Sequence, residues 1–235
     1  MQIKGFIESS CSDWPGQVVA VLFLPGCNFR CPYCHNQQLV LSPGQCETFD
    51  QDQVFAQLAA MRCWLDGVCI SGGEPTLHYG LADLCGRIKQ AGFRCKVDTN
   101  GSQPAVLASL LAANLLDFVA MDIKAPLLSD IYRRCAGVEE VDLAAIKQSM
   151  TLLRASGIDY QFRTTYHPFL LSDDALMDIC RLIHPGEEFV LQQARTQGAL
   201  DPGFSRQSEM TDEQFQQVNA AVRQMLEKKA SHKKK

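Results

Sequence analysis

The sequence lacks a hydrophobic run long enough to cross a membrane. Its longest uninterrupted apolar stretch is VVAVLFL, residues 18–24, far short of the roughly 20 residues that a membrane-spanning helix needs. A positively charged segment followed by an apolar one, the pattern of a secretory signal peptide, is also missing from its start. We therefore predict a cytoplasmic protein with no membrane partner.

Internal repeats and low-complexity linkers are also absent, which argues against a second domain. We predict one domain over 1–235, with its core at about 14–195 and a C-terminal helix and basic tail over 196–235. The net charge is −4. Because 221–235 holds six Lys or Arg and one Glu, it carries +5 and the remainder −9. Since no aromatic or Arg-rich surface accompanies this tail, we predict a solvated terminus and no nucleic-acid partner.

Short runs with β-branched or aromatic residues alternate with segments in which apolar residues recur every three or four positions. The runs predict six strands: Val18–Leu24, Val68–Ser71, Arg94–Asp98, Phe118–Asp122, Tyr160–Thr165 and Phe189–Gln193. The periodic segments between and after them predict helices. Six successive β/α units predict the α/β class, with parallel strands in a partial (β/α)6 barrel. A flat, doubly wound sheet has the same periodicity and stays an alternative.

The polar and glycine-rich motifs all follow predicted strands. A cysteine cluster follows the first strand, and GGEPT (72–76) follows the second. DTNG (98–101), DIK (122–124) and His167 come at the ends of the next three. In parallel α/β folds the chemistry lies at the carboxyl ends of strands. The sequence therefore predicts an active site at this end of the sheet.

Three cysteines in GCNFRCPYCHN, residues 26–36, predict a metal centre. Cys27, Cys31 and Cys34 supply three thiolates where a closed zinc site needs four ligands. His35 directly follows Cys34, so the two are poorly placed to share one tetrahedral metal. The spacing favours a 4Fe–4S cluster with one iron open to a further ligand, against structural zinc. The other eight cysteines form no CxxC pair, and we interpret most of them as small buried apolar groups.

These residues resemble the radical S-adenosylmethionine superfamily. The resemblance rests on the Cys27, Cys31 and Cys34 spacing, on Tyr33 before the third cysteine, and on the GGEP motif at 72–75. It implies that the amino and carboxylate groups of S-adenosylmethionine chelate the open iron. It also implies that one electron from the cluster cleaves this cofactor to methionine and a 5′-deoxyadenosyl radical.

The resemblance implies a cofactor pocket around the cluster. The residues that it assigns to cofactor binding are Tyr33, Gly72, Gly73, Glu74, Asp98, Thr99, Asp122, Lys124 and His167. The two glycines would let backbone approach the cofactor, Glu74 would accept from its amino group, and Lys124 would meet its carboxylate. Simpler roles stay open: DTNG as a turn with a helix cap, Lys124 as a solvated charge and His167 as a structural histidine.

The segment from Ser9 to Asn36 resembles the activating enzymes of glycyl-radical proteins. DWPG (13–16) precedes the first predicted strand, and GCxxRCxxCHN follows it. Only 37 residues, 35–71, separate Cys34 from Gly72, too few for the ferredoxin-like insert of some activases. The chain therefore most resembles the activating proteins of anaerobic ribonucleoside-triphosphate reductase. We expect DWPG to line the mouth through which the partner's glycine enters.

This resemblance implies two protein partners. One is a glycyl-radical enzyme, anaerobic ribonucleotide reductase, and the other is a flavodoxin or ferredoxin that supplies the electron. The alternative within enzymes is a radical S-adenosylmethionine enzyme that acts on a small molecule or a peptide. The alternative outside enzymes is a non-catalytic iron–sulfur or zinc module, which would not need an amino-acid pocket at GGEP and Lys124.

Overall fold

A computed structural model describes residues 1–232 of the chain as alternating strands and helices. The first part contains β1 (Gly5–Ser10), β2 (Val19–Leu24), α1 (Gln37–Leu41), α2 (Gln51–Ala60), β3 (Gly67–Gly72), α3 (Leu81–Gln90), β4 (Arg94–Thr99), α4 (Pro104–Ala112) and β5 (Phe118–Asp122). The second part contains α5 (Ser129–Ala136), α6 (Leu143–Ala155), β6 (Asp159–Tyr166), α7 (Asp173–Leu182), β7 (Glu188–Gln193), α8 (Pro202–Ser205) and α9 (Asp212–His232).

All six predicted strands are present, as β2 to β7, and the α/β class with a parallel sheet is confirmed. The strands pair in the order in which they occur in the chain. Parallel pairing is in register from Val19 opposite Gly67 to Leu24 opposite Gly72, and from Gln161 opposite Glu188 to Tyr166 opposite Gln193. Strand β1 was not predicted, because its half-exposed sequence GFIESS has no apolar alternation, and it pairs antiparallel with β2.

Contacts divide the chain into two compact units. The first unit comprises 1–28, 36–120 and 144–160, and the second comprises 29–35, 121–143 and 161–235. In the first unit an apolar cluster covers one face of the strands: Trp14, Val19, Val21, Cys69, Phe118 and Ala120. Cys85 and Cys95 are fully buried in the same unit, as predicted for most of the cysteines outside the motif.

Trp14 of the DWPG segment lies at the amino-terminal end of the strands of the first unit, opposite to the end that Cys27 follows. Its ring is 5.6 Å from that of Phe118, and the Arg94 guanidinium stacks 4.7 Å from it. Phe118 is the first residue of β5, and Arg94 is the first residue of β4. Trp14 is 2% exposed, so it closes the amino-terminal end of the first unit. The prediction that DWPG lines an entrance for a partner is wrong for this residue.

The second unit contains the parallel pair β6 and β7 and the helices α7 and α9, which contact each other. Lys229 on α9 donates to the carbonyl oxygens of Cys180 (3.0 Å) and Arg181 (3.0 Å), close to the carboxyl end of α7. A cation at this end of a helix is favoured by the helix dipole.

The C-terminal helix that the sequence predicts is present as α9. The last three lysines of the predicted basic tail, 233–235, lie outside the described residues. No helix within residues 1–232 has the length and apolar character to cross a membrane.

Candidate active site

In the first unit, the GGEP loop packs backbone to backbone against the start of the cysteine loop. Gly73 N–H donates to the Leu24 carbonyl at 2.9 Å, and Glu74 N–H donates to the Gly26 carbonyl at 2.8 Å. A Cβ atom on Gly73 would stand 1.8 Å from that Gly26 oxygen. Gly72 has a φ of +111°, which side chains rarely adopt. Both glycines are therefore needed to set the loop that begins at Cys27.

Glu74 is the centre of a buried hydrogen-bond network. Its Oε1 accepts from Thr76 N–H (3.1 Å), Thr76 Oγ1 (2.5 Å) and Thr99 Oγ1 (2.8 Å), and its Oε2 accepts from Asn100 N–H (2.7 Å). Burial raises the pKa of the Glu74 carboxyl, although these donors act against the rise. The structure thus places Glu74 and Thr99 together as a link between the GGEP and DTNG loops.

Asp98 pairs with a buried lysine that sequence reasoning missed. The Lys96 ammonium forms an ion pair with one Asp98 oxygen, and the other accepts from Ser71 Oγ at 3.1 Å. Lys96 also donates to the Cys69 thiol at 3.4 Å. The side chain of Lys96 is fully buried and that of Asp98 is 12% exposed. Asp98 is therefore held as an oriented carboxylate at the carboxyl end of β4.

The DTNG loop also reaches the first cysteine of the motif. Asn100 Nδ2 donates to Asn28 Oδ1 at 2.9 Å and lies 4.0 Å from Cys27 Sγ. Asn28 Nδ2 in turn donates to Ser102 Oγ at 2.9 Å. The loop after β2 is thus tied by side chains, as well as by backbone, to the loop after β4.

In the second unit, Cys31 and Cys34 are joined by a tight turn. The Cys34 N–H donates to the Cys31 carbonyl at 2.9 Å. The loop is anchored on both sides, because Arg30 N–H donates to the Ala136 carbonyl (2.8 Å) and the Pro32 carbonyl accepts from Asp201 N–H (3.0 Å). Cys31 is buried and Cys34 is half-buried.

Two cations and one carboxylate meet close to Tyr33. Asp122 accepts from Lys124 Nζ at 3.1 Å and from Arg163 Nε at 2.8 Å. Burial raises the pKa of Asp122, but the charges of Arg163 and Lys124 outweigh burial and lower the pKa to about 2. Lys124 Nζ lies 5.8 Å from the centre of the Tyr33 ring. The Lys124 ammonium therefore lies beside the Tyr33 ring, where it could meet an anionic ligand.

Tyr33 has a buried hydroxyl with no hydrogen-bond partner in the described part of the chain. Burial raises the pKa of Tyr33 far above its usual range, so the group is a neutral donor. A buried donor without an acceptor is costly, and an anion bound beside Lys124 would satisfy it. The chemistry of Tyr33 and Lys124 therefore fits a carboxylate ligand.

His167 uses both ring nitrogens within the chain. Its Nε2 lies 3.1 Å from the Ser208 carbonyl, and its Nδ1 accepts from Phe169 N–H at 3.2 Å. These partners assign the ring proton to Nε2. The ring also packs edge-on against Phe204, with centroids 5.0 Å apart. The ribose contact of His167 stays a prediction, and a ribose hydroxyl that bonds to a ring nitrogen would have to replace one of these hydrogen bonds.

The structure does not show a formed metal site. Within residues 1–232, no three His, Cys, Asp or Glu side chains lie close enough together to hold a metal ion. The chemistry of the three cysteine side chains shows which metal centre they could bind. Cys27, Cys31 and Cys34 form no disulfide, and thiolates are the usual ligands of such clusters. This donor set fits the cluster that the sequence predicts.

Comparison with known proteins identifies the family. Residues 21–183 match the model of the radical SAM superfamily, whose members use S-adenosylmethionine. This range contains most of β2, all of β3 to β6, the three cysteines and both glycine-containing loops. The chain belongs to the radical SAM superfamily, and this membership implies a 4Fe–4S cluster and S-adenosylmethionine as cofactors.

Individual relatives differ in the reactions that their names state. A Methanocaldococcus jannaschii protein is 30% identical over 208 residues, covering 87% of this chain and 84% of its own length. Its name, which marks the assignment as provisional, is glycyl-radical enzyme activating enzyme. A probable GTP 3′,8-cyclase of Thermococcus kodakarensis is 28% identical over 141 residues, 54% of this chain and 45% of its own.

Solved structures support the fold. Streptococcus suis SuiB, crystallised with its precursor peptide SuiA, superposes with a TM-score of 0.64 at 14% identity. The match covers 89% of this chain and 46% of SuiB, so this chain spans about half the length of that protein.

Three site residues escaped prediction: Lys96, Asn100 and Arg163. A charged residue in the interior of a strand, as in RCKVDT or DYQFRTTY, was the available signal for Lys96 and Arg163. Asn100 was interpreted as part of a turn, and only the fold brings it to Cys27.

Proposed function

We propose that Cys27, Cys31 and Cys34 hold a 4Fe–4S cluster and that the chain activates a glycyl-radical enzyme. The proposal for the ligands rests on the sequence spacing and on family membership. When bound, the cluster and S-adenosylmethionine supply a radical able to abstract hydrogen from carbon. The protein's own residues bind and orient these groups.

The charged cluster in the second unit supports a specific place for the cofactor's carboxylate. Lys124 and Arg163 both contact the Asp122 carboxylate, and the Tyr33 hydroxyl has no acceptor in the described residues. A carboxylate bound beside Lys124 would accept from Lys124 and from the Tyr33 hydroxyl. Charge-assisted bonds of this kind are stronger than neutral ones. This is the observation that carries the proposal of cofactor binding.

The first unit would contribute oriented oxygens. Asp98 is held in place by Lys96 and Ser71, which makes it a suitable acceptor for the hydroxyl groups or the ammonium of the cofactor. Gly72 and Gly73 would leave backbone accessible on their loop. Glu74 and Thr99 are engaged with each other, so we assign them to holding the loops rather than to direct contact.

The proposed reaction is removal of a Cα hydrogen from a glycine of a partner protein, anaerobic ribonucleotide reductase, with flavodoxin or ferredoxin as electron donor. It is supported by the similarity to the Methanocaldococcus protein over 87% of the chain and by the resemblance of residues 9–36. To test it, reduced protein, S-adenosylmethionine and a co-encoded anaerobic reductase are mixed under argon. A doublet glycyl signal in electron paramagnetic resonance is expected, and it should vanish when the partner's C-terminal glycine becomes alanine.

The second candidate is a radical S-adenosylmethionine enzyme that acts on a small molecule or a peptide. The similarity to a probable GTP cyclase over 54% of the chain favours it. Cofactor cleavage that leaves no radical on the partner, but that accompanies turnover of a small molecule, would decide for this candidate.

A further inference from the structure

The side-chain amide of Asn100 has a fixed orientation beside Cys27. Its Oδ1 accepts from Ser102 N–H at 2.9 Å, and its Nδ2 donates to Asn28 Oδ1 at 2.9 Å. The Ser102 N–H can only donate, so it fixes the Asn100 amide, and Asn100 in turn fixes Asn28 with Oδ1 toward it and Nδ2 toward the Ser102 hydroxyl. Exchanging the nitrogen and oxygen of Asn100 would place donor against donor and acceptor against acceptor. The network therefore assigns the atoms.

One hydrogen of the Asn100 amide then points to sulfur. An amide nitrogen carries two hydrogens, and Asn28 takes one of them. The acceptor nearest to the other hydrogen's direction is Cys27 Sγ, which lies 4.0 Å from Nδ2. A thiol is a weak acceptor. A thiolate bound to iron carries negative charge, so the same donor would bind it more strongly.

Asn100 is held firmly in this place. It is 5% exposed, and its backbone N–H donates to the buried Glu74 carboxylate at 2.7 Å. The next carbonyl, that of Gly101, accepts from Ser149 Oγ at 2.7 Å. The donor is therefore preorganised and would not have to be ordered when the cluster is bound.

We infer that Asn100 is a tuning residue: its side-chain N–H bonds to the Cys27 thiolate and raises the reduction potential of the cluster. The inference rests on the proposed cluster. Hydrogen bonds to the sulfurs are one of the levers that set cluster potentials. Since reduction adds one electron from the external donor protein, the reduced cluster is more negative, and a donor stabilises it more than the oxidised cluster. The DTNG loop would thus help the electron donor to load the cluster.

Two variants and a matched control test the inference. Asn100→Ala removes the donor, and Asn100→Asp removes it while keeping an acceptor for Ser102 N–H. Ser102→Ala breaks the Asn28 bond in the same network but leaves the Asn100 donor. We expect a redox titration followed by electron paramagnetic resonance to give a lower potential for both Asn100 variants and the wild-type potential for Ser102→Ala. Wild-type potentials in both Asn100 variants would overturn the inference.

A second measurement uses the wild-type protein and does not depend on the variants folding. Protein labelled with asparagine that carries ¹⁵N only in its side-chain amide is reduced, and hyperfine spectroscopy is used to detect a nitrogen coupled to the cluster. A coupled asparagine nitrogen supports the inference, and an uncoupled spectrum overturns it. If wild-type protein holds no reducible cluster, the proposed function itself fails; if it holds one whose potential ignores Asn100, only this inference fails.

Discussion

The Glu74 carboxylate accepts the backbone N–H of Asn100 at 2.7 Å across two loops that follow neighbouring strands. The same carboxylate accepts three bonds from Thr76 and Thr99. All of its bonds lie within the first unit, where the loop after β3 meets the loop after β4. Glu74 therefore determines where Asn100 stands, and through Asn100 it influences the surroundings of Cys27.

Glu74→Gln should destabilise the apoprotein. The NH2 group of a glutamine would face one of the N–H or O–H groups that now donate to the carboxylate, so two donors would meet. The Asn100 N–H is part of the backbone and cannot rotate away. A buried donor left without an acceptor costs about 1–3 kcal/mol, so we expect a loss of that size in urea unfolding. Glu47→Gln, on an exposed residue, is the control. An unchanged unfolding free energy in Glu74→Gln would show that the network is not formed.

Gly73→Ala should disturb the cysteine loop. The new methyl would lie 1.8 Å from the Gly26 carbonyl oxygen, and because both groups are backbone, one loop must move. Overpacking of this kind costs about 1–3 kcal/mol. We expect lower thermal stability and less iron after reconstitution. Gly44→Ala, where a Cβ meets nothing within 4 Å, should behave as wild type; equal losses in the two variants would contradict this account.

Asp122 should make the protein less stable in acid. Its pKa is lowered from 3.8 to about 2, so between these values the native state binds fewer protons than the unfolded state. Stability is therefore present above about pH 4 and is lost as the pH falls through 2, by about 2 kcal/mol in all. Asp122→Asn should flatten this part of the urea-unfolding profile, whereas the exposed Asp159→Asn should not. A profile that keeps its full slope in Asp122→Asn would contradict the ion-pair assignment.

Lys124→Met should weaken cofactor binding and leave cluster assembly intact. Loss of one charge-assisted hydrogen bond costs roughly 1.5–3 kcal/mol, about ten- to a hundredfold in affinity. Isothermal titration of S-adenosylmethionine into anaerobic, reconstituted protein measures it. The exposed Lys147→Met is the matched control. Wild-type affinity and cofactor cleavage in Lys124→Met would remove Lys124 from the site.

The regular elements were predictable because the six parallel strands are short apolar runs. Val68–Ser71 and Phe118–Asp122, for example, coincide with β3 and β5 to within a residue or two. Strand β1 escaped because an edge strand with exposed side chains carries no apolar pattern. Helix α5 escaped for a related reason: SDIYRRCA is short and largely polar, and it buries only three residues.

The cysteine spacing and the glycine-containing loops identify the family from the sequence. The hydrogen-bond and ion-pair partners of single polar residues cannot be predicted from the sequence. Arg163 becomes part of the site only because β6 pairs beside the end of β5, where Ile123 N–H meets the Arg163 carbonyl at 2.8 Å. The wrong placement of DWPG had an available signal. A segment that precedes β2 must lie at the opposite end of the strand from the cysteines that follow it.

The most direct test of the account is cofactor cleavage by anaerobically reconstituted protein. With dithionite and S-adenosylmethionine, wild-type protein should hold about four irons per chain, as a cubane requires, and should form 5′-deoxyadenosine and methionine. Cys31→Ala should lose both the cluster and the cleavage, whereas Cys63→Ala, at an exposed cysteine outside the motif, should keep them. Stoichiometric zinc without a reducible cluster, or cleavage that persists in Cys31→Ala, would contradict the assignment of Cys27, Cys31 and Cys34 as the cluster ligands.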